Sequence, residues 1–278
     1  MPLPDPQPKA LFFDVFGTCV DWRKTVTNAL WNAAKEALDS PSASLSSQVR
    51  SKASNMTYED WGEVAQDWRN TYLVFTRSIA ADPTIPYKTV DQHHLHALRE
   101  ILTTRELILP GPQNNSSTPA EGSLLTDHQI VKLSLIWHYL EPWPDTVQGI
   151  RELNKNFTTC TLSNGNVSLL TDMTTHGHMP FTHIFSSEMF KSYKPSPKVY
   201  LGAVEKLGLK PEECMMVAAH LDDLKHAREY GLRTCYVARP REERYPELLG
   251  QGIEEVFVGE GEVGFVTAAE RLGVEVGS

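Results

Sequence analysis

The run Ala10-Leu11-Phe12-Phe13 is apolar at every position, gives way at once to Asp14, and meets no second strand-like run before about residue 159. An unbroken apolar strand of this kind is one covered on both faces, which points to a parallel sheet. Its partners come only after Pro142. From there Val147 to Asn154 reads as a helix, Thr159 to Leu162 as a strand and Val167 to His176 as a helix. His183 to Ser186 reads as a strand, Val199 to Leu207 as a helix and Cys214 to Val217 as a strand. Asp223 to Tyr230 (helix), Arg233 to Val237 (strand) and Glu255 to Val258 (a last short strand) complete the pattern. Strands alternating with helices give an α/β fold.

The long gap after the first strand reads differently. Helical spacing of apolar residues marks Thr25 to Leu38, Tyr58 to Ile79, Val90 to Thr104 and Thr126 to Tyr139. A Ser-rich break at Pro41 to Ser47 and a flexible surface loop at Pro110 to Asp127 separate them. The expected architecture is therefore a Rossmann-like parallel sheet core with helices on both faces, from residues 1–22 and 145–278. A helical domain, 23–144, is inserted after the first strand.

Composition narrows the partners. With 278 residues and a net charge of −9, the chain lacks the basic surface of a nucleic-acid binder, though a small anionic substrate needs only local cations. Four widely spaced cysteines without a CxxC fit a reduced, cytoplasmic protein. The Pro-rich start carries no apolar signal region, and no apolar run approaches a membrane span. Most of the negative charge lies outside the insert. The seven Glu between Glu242 and Glu262 read as a solvated acidic face. The literal GxGxxG at Gly259–Gly264 has too little chain behind it for a dinucleotide unit, and its two Glu would repel a pyrophosphate. His93, His94, His96, His176 and His178 form no convincing metal set. The Trp61, Trp68, Tyr72 stripe reads as helix-packing core.

Polar residues just beyond the carboxyl ends of parallel strands converge on one crevice. Four such loops stand out: Asp14-Val15-Phe16-Gly17-Thr18, Ser163-Asn164-Gly165-Asn166, Tyr193-Lys194-Pro195, and Ala218-Ala219-His220-Leu221-Asp222-Asp223. Singly they are a cap, a turn or a surface lysine. Together, in this order, they resemble the haloacid dehalogenase superfamily, whose members often carry an inserted helical cap.

The resemblance implies an aspartate nucleophile, Asp14, and a covalent ester hydrolysed by water. Phosphatases of the superfamily carry a second Asp two residues after the nucleophile and an acid at the start of the fourth motif; here these positions hold Phe16 and Ala218. A leaving alkoxide needs a proton and a phosphoryl group needs neutralisation, whereas a halide needs neither. The chain therefore resembles the 2-haloacid dehalogenase branch, which implies no cofactor. By that resemblance Arg69 and Asn164 hold the departing halide, Ser163 and Lys194 bind the substrate carboxylate, and Asp223 orients or activates the water. Tyr200 matches by spacing, Thr18 flanks the nucleophile, and Phe16 lines an apolar pocket. The branch's usual Ser and Asn are replaced by Ala218 and His220, leaving His220 a hydrogen-bonding partner, a base for ester hydrolysis, or a buried structural residue. Two alternatives stay open: a Mg2+-dependent phosphatase using Asp14, Asp223 and Asp222, and a non-catalytic binding protein on this fold. A homodimer also stays open.

Overall fold

The structure, a computed structural model, describes residues 7–41, 43–111 and 119–277. The opening residues 1–6, Ser42 in the Ser-rich break and the middle of the expected surface loop, 112–118, lie outside the described residues.

In chain order, β1 (Ala10–Phe13) is followed by α1 (Trp22–Asp39), α2 (Ser47–Asn55), α3 (Tyr58–Ala81), α4 (Val90–Thr104) and α5 (Asp127–Ser134). Then come α6 (Thr146–Leu153), β2 (Thr158–Ser163), α7 (Val167–His176), β3 (His183–Ser186) and α8 (Pro197–Lys206). The chain finishes with β4 (Cys214–Ala218), α9 (Leu221–Glu229), β5 (Arg233–Val237), β6 (Val256–Val258) and α10 (Gly264–Arg271). The six strands form one sheet in the order β3-β2-β1-β4-β5-β6, every pairing parallel.

Strand β1 lies between β2 and β4, with Phe13 opposite both Thr161 and Val217. Its alternate side chains feed two cores, as the pleat requires. Phe12 joins Leu162, Phe185, Tyr200, Met216 and Leu224 on one face. Phe13 meets Phe181 and Phe265 edge-on at 5.4 and 5.1 Å on the other. That second face is closed by α6 against α10. A Cβ at Gly149 would come within 2.3 Å of the Phe265 Cβ, so only glycine lets these helices approach.

The chain divides into two compact units. One takes in the described residues of Met1–Asp21, Thr76–Tyr87 and Glu141–Ser278; the other is Trp22–Phe75 with Lys88–Leu140. Compared with the expected insert at 23–144, residues 76–87 group with the sheet. Tyr87 stacks on Tyr193 at 5.2 Å, and Arg77 bonds Asp222 at 2.7 Å. The helical unit is built around aromatic side chains. Trp61, Trp68 and Trp137 are fully buried. Capping boxes at Thr89/Gln92 and Thr126/Gln129 start α4 and α5. The helix expected over Thr126 to Tyr139 stops as an α-helix at Ser134 and tightens into a 3-10 turn, Leu135–His138.

Candidate active site

The sheet reverses its winding at β1, with β2 on one side and β4 on the other. The loops leaving these strands therefore open into one crevice. Asp14 follows β1, and its N–H still bonds Val217 O at 3.0 Å, which fixes the first residue of the loop against β4. The turn then needs a left-handed residue, supplied by Gly17 at φ +85°. Thr18 comes back under Asp14. Its hydroxyl donates to Asp14 Oδ2 at 2.9 Å and accepts from Ala219 N–H at 2.9 Å, tying the loops after β1 and β4 together.

Two further side chains, Lys194 and His220, meet Asp14, and others brace them. Lys194 Nζ donates to Asp14 Oδ1 at 2.9 Å and to Asp223 Oδ2 at 2.5 Å, so it bridges the two carboxylates. His220 Nδ1 lies 3.0 Å from Asp14 Oδ2, and its Nε2 lies 3.1 Å from Glu242 Oε2. Tyr200 OH donates to Asp223 Oδ1 at 2.5 Å. Asp14, Lys194, His220 and Glu242 are each buried, at 7–8% exposure, and Tyr200 completely.

This packing decides the charges. Burial alone would raise the Asp14 pKa, but the Lys194 charge and the His220 hydrogen bond outweigh it and hold the carboxyl far below the usual range. Burial would likewise neutralise Lys194, yet Asp14 and Asp223 hold its pKa above the ordinary lysine value. Burial works against a charged His220 too. Hydrogen bonds to Asp14 and Glu242 win, and the imidazole is pushed up to about 10. Asp223 is raised, chiefly by burial and then by Asp14 against the pull of Lys194. At neutral pH Asp14 is an ionised carboxylate between an ammonium and an imidazolium.

The remaining expected residues have identifiable settings. Asn164 Oδ1 accepts from the Lys194 backbone N–H and from Ser187 Oγ, both at 2.8 Å, so this side chain staples the lysine loop to β2. Ser163 is fully buried and its Oγ accepts from Gly165 N–H at 3.3 Å. Phe16 is buried. Arg69 belongs to the helical unit, where its guanidinium lies 4.6 Å over the Tyr72 ring and 5.6 Å over Trp22.

The Mg2+ alternative requires Asp14, Asp223 and Asp222 as one donor set. Asp14 and Asp223 instead share the Lys194 ammonium, and Asp222 bonds Arg77. Among the described residues no cluster of three or more His, Cys, Asp or Glu is arranged to hold a metal ion.

Glu242 is a correction to the reading of residues 242–262 as a solvated acidic face. Glu247, Glu255, Glu260 and Glu262 are exposed, but Glu242 is buried in the site. Three other groups support it without having been singled out. Arg239 Nε donates to Thr18 O at 2.9 Å and its guanidinium clasps Asp145 at 2.6 and 2.8 Å. Glu243 accepts from Leu221 N–H at the start of α9 at 2.8 Å. None of them follows a strand directly, the one position at which polarity was informative.

A parallel α/β sheet carries a buried aspartate at its switch point, salt-bridged to a lysine from a neighbouring loop, an arrangement suited to a hydrolase. The chain belongs to the haloacid dehalogenase-like hydrolases, whose family model matches residues 8–231. It is 28% identical to a crystal structure of a defluorinating L-2-haloacid dehalogenase, with 96% of each chain covered and a TM-score of 0.75. It is 32% identical over 106 residues to (S)-2-haloacid dehalogenase 1 of Pseudomonas sp. (strain CBS-3), covering 37% of this chain and 47% of that one. A shorter match, 40% over 67 residues, is to the phospholysine phosphohistidine inorganic pyrophosphate phosphatase of Xenopus laevis, with 21% of this chain and 24% of that one covered. The matches to the first two curated relatives thus span about half of those proteins' length. Among the described residues no helix is long and apolar enough to cross a membrane.

Proposed function

We propose that this hydrolase removes halide from a small 2-haloacid, with Asp14 as nucleophile. The observation that carries the reading is the state of Asp14. It is ionised, buried, and aimed by Lys194, Thr18 and His220, while the positions that would serve phosphoryl transfer hold Phe16 and Ala218. One Asp14 oxygen attacks C2 of the substrate from the side opposite the halide, forming a C–O bond as the carbon–halide bond breaks with inversion. Water then adds to Asp14 Cγ, and the ester opens to release the 2-hydroxy acid.

The other residues follow from this chemistry. Lys194 and Ser163 receive the substrate carboxylate, and Lys194 also keeps Asp14 charged. Arg69, its guanidinium already lying over aromatic rings, takes the halide. Asn164 acts by holding the lysine loop. Tyr200 serves through Asp223 rather than by touching substrate, since its hydroxyl is spent on that carboxylate. Thr18 fixes the rotamer of Asp14, and Phe16 presents an apolar surface to the carbon centre.

Chloride release from 2-chloropropionate tests the reading. The expected result is release that EDTA does not change and that Asp14→Asn abolishes. No halide from any of several short 2-haloacids would overturn it. Chelator-sensitive phosphate release from a panel of esters would instead favour the phosphatase alternative, and catalysis of either kind excludes a mere binding protein.

A further inference from the structure

Glu242 belongs to none of the four strand-end motifs, yet its carboxylate closes the far side of His220. We propose that Asp14, His220 and Glu242 form a relay in which His220 is the base of the ester-hydrolysis step and Glu242 is the residue that positions it. The proposal rests on the Asp14-ester reading above and assigns its second half.

The geometry is built rather than incidental. One imidazole nitrogen meets the nucleophile at 3.0 Å and the other meets Glu242 at 3.1 Å, with both side chains buried. A Cβ at Gly17 would fall 2.0 Å from Glu242 Oε2, so the nucleophile loop leaves space for this carboxylate. The loop carrying Glu242 is pinned on both sides. Arg239 bonds Thr18 O, and Glu243 bonds Leu221 N–H and Tyr245 N–H. A carboxylate is costly to bury, and placing it behind an imidazole gives that imidazole one orientation and a higher basicity. Asp223 is the other candidate base, but each of its oxygens already holds a strong donor, Lys194 on one and Tyr200 on the other. Those bonds suit it to bracing Lys194.

The reaction itself sets the timing. In the resting enzyme His220 is an imidazolium between two carboxylates. Alkylation of Asp14 removes one of those negative charges. The imidazolium then gives its proton to solvent, the proton that accompanies the departing halide. Neutral Nδ1 accepts a proton from water as the water oxygen bonds to Asp14 Cγ. The tetrahedral intermediate expels the substrate oxygen, which takes that proton from His220 to become the 2-hydroxy acid. The regenerated Asp14 carboxylic acid passes its own proton to His220, restoring the ion pair. The sum is one carbon–halide bond and one water converted to one C–OH, one halide and one proton. Other ionisable groups on the elements around His220 include Lys194 beyond Asp14, Asp222 and Asp223 in the first turn of α9 with Lys225, His226, Arg228 and Glu229 further along it, and Arg239, Arg241, Glu243 and Arg244 on the loop after β5. None of them changes covalently during the cycle, so the loss of the Asp14 charge is the change His220 experiences.

Rapid-quench chloride release combined with mass spectrometry of the Asp14 peptide tests this. His220→Asn and Glu242→Gln should each give a chloride burst of about one per enzyme and a trapped ester on Asp14. Ester decay should slow by about 10²-fold or more in His220→Asn, in line with loss of a general base, and less in Glu242→Gln. In Glu242→Gln the pH midpoint of ester decay should also fall, an effect that a purely structural role would not produce. Decay at the wild-type rate in both variants, or an unmoved midpoint in Glu242→Gln, would overturn the relay while leaving the nucleophile reading intact. A wild-type enzyme that releases no halide fails the underlying reading itself.

Discussion

Of the buried histidines among the described residues, His220 in the sheet unit and His94 in the helical unit end in opposite charge states. His220, in the sheet unit, has a carboxylate on each ring nitrogen and is pushed up to about 10. His94, in the helical unit, is stacked on Trp137 at 4.5 Å and on Tyr72 at 5.7 Å, with Trp68 edge-on at 5.6 Å. Neither of its ring nitrogens has a hydrogen-bond partner among the described residues. Burial, reinforced by His93 and Arg69, drives it well below the usual histidine range. Burial opposes charge in both; what differs is the partner. His94 serves as an aromatic ring, and His220 as a cation.

The most severe way to disturb this contrast is to remove the carboxylate at its centre. Asp14→Asn should lower turnover by about 10⁴-fold or more, as expected when a nucleophile is deleted, measured as halide release. It should also bring the His220 titration midpoint down markedly, measured by NMR of the imidazole. Lys194→Met should come next. It leaves Asp14 and Asp223 buried with no ammonium between them, and stranding buried charge costs about 3–5 kcal/mol, readable in a denaturant melt. A smaller effect should appear in the pH dependence of stability. His220 binds its proton more tightly folded than unfolded, so its stabilisation is full below about 6.5, the unfolded value, and is lost as pH rises toward about 10. The unfolding free energy, read from denaturant melts at successive pH values, should therefore fall across that window. Glu242→Gln, which removes one partner, should narrow it. A wild-type protein whose unfolding free energy stays flat from pH 6.5 to 10 would contradict the imidazolium assignment.

The same contrast explains what could be read from the chain alone. The strands were legible because both-face burial makes them continuously apolar, and Asp14, Ser163 and His220 were legible because polarity begins where such strands stop. Lys194 and Asp223 stood in short motifs close behind. Glu242 was not legible, because its loop leaves β5 irregularly and the residue lies in an acid-rich stretch; only folding separates the one buried Glu from its exposed neighbours. Helix α2 escaped because its buried face is only Val49 and Ala53. Helix α10 escaped because its first residue closes a GxGxxG pattern. Gly264 is required there by packing instead, since a Cβ would fall 2.1 Å from Asp145 Oδ2. His94 read as one of several histidines without a metal set, and nothing in its sequence neighbours announced the aromatic stack that α4 carries it into.

That stack yields the subtlest prediction. His94 stays neutral when folded and takes a proton when unfolded, so it lowers stability as pH falls below about 6.5, the reverse of His220. His94→Phe keeps a planar ring between Trp137 and Tyr72 and removes two buried nitrogens that lack hydrogen bonds. At pH 7.5 the substitution should be neutral to stabilising, by about 1 kcal/mol at most, because an unsatisfied polar group is exchanged for an apolar one at some cost in fit. At pH 5 the gain should be larger, since the variant no longer loses stability to protonation of the unfolded chain. Amide exchange of α3 and α4 at the two pH values measures this difference in the helical unit directly. If the variant loses stability more at pH 5 than at pH 7.5, His94 is charged in the folded state, and partners rather than aromatic packing govern both histidines.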